Sequence, residues 1–451
     1  MSNRIGDVVF RILGMVGVAF LAFCAGSFVI LDKQFPYEVF RNAYFAGIAL
    51  FNKKTGYLDP FKTDLWAKAR DDARGVTAYE RGAAQEGYTL YSSGHTQKAF
   101  LIDMQGKVLH EWSMPYSQVW DESSAISDPV DDRNTYFRRT WLYPNGDLLA
   151  IYDGVGDTPH GYGLIKIDRN SKLIWKYLQR VHHDLDVAPD GRIFTLTHEI
   201  KQHEIENAPN LSPPRIDDDL VELSPDGEEL RRIPLLETFV NSQYRGMLAV
   251  LPCYWMDTME CNSDFLHSND VEYVTAENAQ HFDFAKEGEV LVSTREPGVL
   301  ILIDLDTRKL RWAIRGHWIG QHDPDLLPNG HILLYDNNGH FGPGGRSQVF
   351  EFDPKTYEVS WRYSGTPDKP FHSIIRGGQE RLANGNTLIT EDQRGRIFEV
   401  TPDGRIVWEF INPVRGGDQN AYLPIVSWGH RLDPASLDED FRHTLKTSAG
   451  E

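Results

Sequence analysis

Four short segments hold the residues best able to do chemistry. Two read His-Asp: His182-His183-Asp184 and Gln321-His322-Asp323. A third, His267-Ser268-Asn269-Asp270, sets His267 and Asn269 two residues apart, on one face if the segment is a strand. The fourth, Leu291-Val292-Ser293-Thr294-Arg295, ends on Arg295. A neutral imidazole serves as nucleophile or general base near pH 7. Arginine offers a planar fork of donors that matches sulfate or phosphate oxygens, and a second imidazole can stabilise charge growing on those oxygens. The set suits transfer of an oxyanionic group. A three-histidine metal site also fits the spacing, although no His-x-His or Glu-x-x-His pair is present. His182, His198, His281 and His331 read as structural, each satisfied by a backbone carbonyl.

Distant segments can act together only on a scaffold that gathers them, and the chain carries a repeat that does so. Hairpin turns recur at Pro144-Asn145-Gly146, Pro189-Asp190-Gly191, Glu287-Gly288, Pro328-Asn329-Gly330 and Asn384-Gly385, where Gly and Asn tolerate positive φ. A second signal, an alternating strand closing on a tryptophan, runs from Leu101 to Trp112, Ile165 to Trp175, Leu302 to Trp312, Phe350 to Trp361 and Phe398 to Trp408. A degenerate copy runs from Val221 to Arg231. Six units of four strands predict an all-β, six-bladed β-propeller. Five complete units lie between Tyr136 and Pro413. The sixth is composite, with an inner strand from Tyr422–Leu432 and outer strands from Tyr88–Trp112, which removes free sheet edges. The first strand of each blade lines a central channel. Counting back eight residues from each turn glycine gives Arg138, His183, Gln280, His322 and Gly377. The third unit is irregular: Asp264 to Glu272 reads as an inner strand interrupted by an insertion, and the pattern resumes at Phe282-Asp283-Phe284.

Ahead of the propeller, Ile12 to Leu31 is twenty residues without a charge, enough to cross a bilayer as a helix. Arg4 and Arg11 precede it and favour a cytoplasmic N-terminus. An uncleaved anchor is preferred over a cleaved signal peptide because the apolar run outlasts a typical signal core. The expected organisation is a transmembrane anchor over 1–34, a helical or linker segment over 35–87, the propeller over 88–432 and a C-terminal tail over 433–451. The propeller would sit in the periplasm on a single-pass inner-membrane anchor. Phe35 to Phe51 reads as an interfacial helix that could dock a membrane-complex partner, and Asp64 to Glu86 as a helical or loose linker.

Composition narrows the classes further. Among 451 residues, 65 acidic against 46 basic give a net charge of −19, which argues against nucleic acid as partner. The 41% apolar and 25% charged content excludes a mostly disordered or fibrous chain. Three cysteines exclude a disulfide scaffold. Cys253 and Cys261 flank a short segment before His267 and either form a disulfide in an oxidising compartment or stand as two buried thiols; the bridge is preferred.

With these motifs in this order, residues 88 to 432 resemble the bacterial arylsulfotransferase family of six-bladed propellers. His182-His183-Asp184-Leu185, His267-Ser268-Asn269, Ser293-Thr294-Arg295 and Gln321-His322-Asp323-Pro324 carry the match. The resemblance implies nucleotide-independent transfer of a sulfuryl group from an aryl sulfate to a phenol. It implies His322 as the nucleophile that becomes sulfohistidine, His267 and Arg295 as groups holding the sulfuryl oxygens, and His183 as a further channel histidine, with no metal or other cofactor. Asn269 and Arg138 are expected at the substrate. A membrane anchor and Ala-rich linker stand where better-known members carry a β-rich N-terminal domain. The rival readings are a non-catalytic, membrane-anchored propeller serving as a binding or assembly subunit, and a propeller hydrolase or lyase for another ligand.

Overall fold

The computed structural model describes residues 2–51, 59–157, 159–251 and 263–449. Cys253 and Cys261, expected as a disulfide, lie outside the described residues. The chain divides into two units, Met1–Leu58 and Asp59–Glu451. In the first, helix α1 spans Ser2–Leu31 and helix α2 spans Tyr37–Phe51. The stretch Gly6–Leu31 has a mean hydropathy of 2.3 and is long and apolar enough to cross a membrane. Its Phe10, Phe20, Phe23 and Ile30 side chains are exposed, so no protein core holds them.

The second unit is a ring of six antiparallel sheets. Blade 1 covers residues 135–177, blade 2 181–234, blade 3 268–315 and blade 4 322–363. Blade 5 covers 378–411, and blade 6 pairs Val426–Leu432 with three strands from residues 88–113. The sixth sheet thus joins the two ends of the ring. The hairpin glycines adopt the positive φ their turns need, between 83° and 89° at Gly146, Gly191, Gly288, Gly330 and Gly385.

In four of the six blades the repeated tryptophan bolts its blade to the next. Trp112 Nε1 donates to Gly146 O at 2.9 Å, Trp175 to Pro225 O at 3.1 Å, Trp361 to Pro402 O at 2.9 Å and Trp408 to Met104 O at 2.9 Å. In the degenerate unit Arg231 takes the tryptophan's place, and its guanidinium donates to Leu305 O of blade 3. Trp312 instead stacks on Phe284 at 4.1 Å. Six apolar clusters fill the six interfaces between neighbouring blades, as a closed stack of two-faced sheets requires.

Two segments differ from expectation. Asp64 to Glu86 is neither helical nor a loose linker: Trp66–Lys68 pairs with Tyr422–Pro424, and Gly75–Tyr79 adds a fifth strand to blade 5 along Ile406–Ile411. The β-branched Val76 and Thr77 suit a strand that covers an otherwise bare edge. The C-terminal residues form a helix, Glu439–Ala449, whose Phe441 and Leu445 are buried between blades 6 and 1.

Candidate active site in the propeller channel

Inner strands of five blades are broken by register shifts. These fall between Phe137 and Thr140, His182 and Leu185, Ser268 and Asp270, His322 and Asp325, and Val426 and Trp428. A bulge re-aims the residues it displaces, and here they turn to the axis. Arg138, Arg139, His183, Asp184, Asn269, Asp323 and Ser427 line one cavity with Asp270, His322, Gly377 and Trp428. The cavity measures about 20 Å³, room for one water. His183 (φ 59°), Asp323 (φ 50°) and His267 (φ 47°) sit in the left-handed region, a strain of about 1–3 kcal/mol each that the surrounding sheets must hold.

His322 is almost wholly buried. Its Nδ1 faces Asn337 Oδ1 at 2.8 Å and Gly320 O at 3.0 Å. Asn337 cannot turn its amide, because Nδ2 donates to Ser373 O at 2.6 Å and Arg376 O at 2.7 Å. Two oxygens facing Nδ1 place the proton there. The lone pair is therefore on Nε2, which is buried and has no hydrogen-bond partner. Burial first, then the charges of Arg138 and Arg295, hold this imidazole well below the ordinary histidine range, so it is neutral. Arg138 Nη1, on the same cavity wall, is also buried without a hydrogen-bond partner.

His267 lies outside the cavity wall. Its Nδ1 is 2.6 Å from Asp264 Oδ2, and its ring stands edge-on to His183 with centroids 4.9 Å apart. Burial opposes ionisation of Asp264, but the hydrogen bond and charge of His267 bring its carboxyl down to about 2. Arg295 acts on His322 through space, while its guanidinium is bonded to Glu296 at 2.6 Å. The cavity thus gathers His183, Asn269, Arg138 and His322; His267 adjoins it through His183, and Arg295 through its field.

The charged residues Arg139, Asp184, Asp270 and Asp323 on the wall had no role in the sequence reading. Arg139 forms an ion pair with Asp184, Nε to Oδ1 2.7 Å, lies 3.7 Å from Asp323 and stacks on Trp428, its guanidinium carbon 3.2 Å from a ring centroid. Asp184, Asp270 and Asp323 bring carboxylate oxygens within 4.8 Å of one another. Burial, and then the other two carboxylates, push Asp270 far up; burial raises Asp323 to about 7 despite Arg139. The channel therefore carries protons on some of these acids at neutral pH.

The expected structural histidines divide. His331 Nδ1 bonds Glu351 at 2.8 Å, a carboxylate rather than a backbone carbonyl. His281 is exposed, and so is Gln280, which the eight-residue count had put on an inner strand. His182 and His198 are not satisfied by carbonyls. They stack on each other at 3.6 Å and belong to a cluster of five imidazoles with His160, His183 and His267. The signal for His198 is present in the repeat. Seven residues beyond each of the five turn glycines stand Asp153, His198, Arg295, Asn337 and Asp392, polar in blades 1 to 5, so His198 and Asn337 occupy the place of Arg295.

The family described as arylsulfotransferase (ASST) matches residues 139–413. No curated protein matches the chain. Among solved structures, a protein of unknown function from Bacteroides caccae is similar at 13% identity with a TM-score of 0.47, covering 76% of this chain and 98% of that one. A streptogramin B lyase aligns at 11% identity and a TM-score of 0.40, over 81% and 95% of the two chains. A catalytically inactive virginiamycin B lyase from Staphylococcus aureus, solved with quinupristin, aligns at 12% identity and a TM-score of 0.35, over 64% and 73%.

Proposed function

Because the chain belongs to the arylsulfotransferase family, we propose that it moves a sulfuryl group from an aryl sulfate to a phenolic acceptor through a sulfohistidine at His322. The observation that carries this reading is the pair of buried, partnerless nitrogens on one cavity wall, His322 Nε2 and Arg138 Nη1. One is a neutral nucleophile and the other a cationic donor for an oxyanion.

In the first step Nε2 attacks sulfur, the N–S bond forms and the bond from sulfur to the aryl oxygen breaks. The ring then carries positive charge, which Asn337 Oδ1 and Gly320 O stabilise through Nδ1–H. The departing aryloxide takes a proton from His267, which Asp264 orients. In the second step the acceptor's phenolic oxygen attacks sulfur, the N–S electron pair returns to Nε2, and the phenolic proton returns to His267. Arg138, Arg295 and Asn269 hold the sulfuryl oxygens, and His183 lines their approach. A cavity with room for one water must widen to admit the group, and Arg295, now paired with its chain neighbour Glu296, would turn toward it. Helix α1 would anchor the propeller at the inner membrane, with the catalytic unit in the periplasm; Arg4 and Arg11 ahead of the apolar run support that orientation.

The test is transfer from an aryl sulfate to a phenol by the purified full chain. Wild type should transfer and His322→Asn should not; equal rates would refute the mechanism.

A further inference from the structure

Three of the five clustered histidines come from different strands and loops of blades 1 and 2. His160 precedes the third strand of blade 1, His182 lies on the inner strand of blade 2, and His198 is on the strand beside it. One ligating nitrogen from each lies within 4.8 Å of the others. His182 and His198 are buried almost completely.

Hydrogen bonds leave this trio unfinished. His198 Nδ1 donates to Asp218 Oδ1 at 3.0 Å, which fixes its tautomer and puts the lone pair on Nε2. That Nε2 is buried without a hydrogen-bond partner, and so is His182 Nε2. Each such nitrogen is destabilising if nothing fills its lone pair or takes its proton. Asp218 is itself anchored, its Oδ2 accepting the Ser268 N–H of blade 3 at 2.6 Å. A carboxylate holding the far nitrogen of a buried imidazole is the usual support of a metal-bound histidine. His183 adds a fourth imidazole, its Nδ1 2.6 Å from His182 Nδ1.

From this convergence we propose that His160, His182 and His198 bind a divalent transition metal of the zinc class, with Asp218 orienting His198. Imidazoles without thiolates favour Zn²⁺, Co²⁺, Ni²⁺ or Cu²⁺ over Mg²⁺ or Ca²⁺. The stacked rings of His182 and His198 must tilt for both to reach one ion, since their faces are now parallel within 3°. The ion would clamp blade 1 to blade 2 beside the channel and brace the backbone that carries His183. It takes no part in the sulfuryl steps, so the proposal stands apart from the reading of His322.

The experiment is a Co²⁺ and Zn²⁺ titration of the full chain, purified in detergent without a histidine tag and stripped of metal. The expected result is one high-affinity equivalent, with Co²⁺ giving the intense visible bands of a four-coordinate nitrogen site. Asp218→Asn should weaken binding about 10- to 100-fold, and His198→Gln should weaken it further. His160→Gln tests the same ligand set at a half-buried side chain, where loss of folding is least expected, while His203→Gln, far out on the surface, should bind as wild type. Absence of a stoichiometric site in wild type would overturn the proposal, as would binding left unchanged by both His160→Gln and His198→Gln. Sulfation of His322, followed in the metal-free chain, separates this outcome from that of the proposed function.

Discussion

Blades 2 and 4 carry the same His-Asp pair the same distance before the same turn, yet they hold their histidines differently. Counting from the turn equates His183 with His322. The ladder does not: His182 pairs with Leu196 and His322 pairs with Tyr335, the equivalent positions of the second strand. Blade 2 spends one more residue in its bulge, so the left-handed residue is His183 in blade 2 and Asp323 in blade 4. The residue seven places beyond the turn completes the divergence. In blade 4 it is Asn337, which accepts the Nδ1–H of His322 and leaves Nε2 bare. In blade 2 it is His198, which stacks on His182 and leads to Asp218. One bulge residue and one amide-for-imidazole exchange separate a single bare imidazole nitrogen from a nitrogen cluster.

The comparison can be broken experimentally. The largest effect should come from the nucleophile: His322→Asn should lower transfer by about 10⁴-fold, and His183→Asn by far less. Equal losses measured under the same assay would mean that the two blades do equivalent work. Next is the oxyanion side. Arg138→Gln should cost about 10²- to 10³-fold in kcat, with the variant still forming sulfohistidine slowly. Removal of the tautomer lock, Asn337→Ala, should cost about 10- to 100-fold. In wild type the rate of His322 sulfation should not fall as pH drops through 6.5, because the folded imidazole stays neutral well below that value; an inflection there would contradict the burial argument.

The smallest effect concerns an acid on the inner strand of blade 3, Glu272. Burial, then Asp186, raises Glu272 to about 8. A carboxyl raised in the fold stabilises it below the unfolded value near 4.5, and that contribution is lost as pH rises through about 8. Thermal melts of wild type should therefore weaken as pH rises from about 4.5 to about 8, and Glu272→Gln, which keeps the side chain's shape without the titration, should flatten that slope by a few degrees.

The ring was legible in the sequence because its devices repeat. Turn glycines at φ near 85° and a tryptophan aimed at the next blade leave fixed spacings, and even the degenerate unit kept its place, with Arg231 reaching Leu305 O where a tryptophan would have reached a neighbouring turn. The channel position of His322 was legible for the same reason. What a residue count could not supply was the bulge, since one inserted residue shifts register without altering composition. Asn337 and His198 were visible as the place of Arg295 in other blades, but their roles depend on which inner-strand histidine each one meets. His160 lies in a loop outside the repeat, and nothing in its spacing points to it. The strand Gly75–Tyr79 was hidden because an edge strand draws its stability from the sheet it covers, blade 5, more than 300 residues away in the chain.

The most direct measurement is peptide mass spectrometry of the full chain after exposure to an aryl sulfate without acceptor. The account predicts one added SO₃ group, on His322, lost when a phenol is supplied and absent from His322→Asn. An adduct on His183 or His267 instead, or continued transfer with no adduct at any histidine, would contradict it.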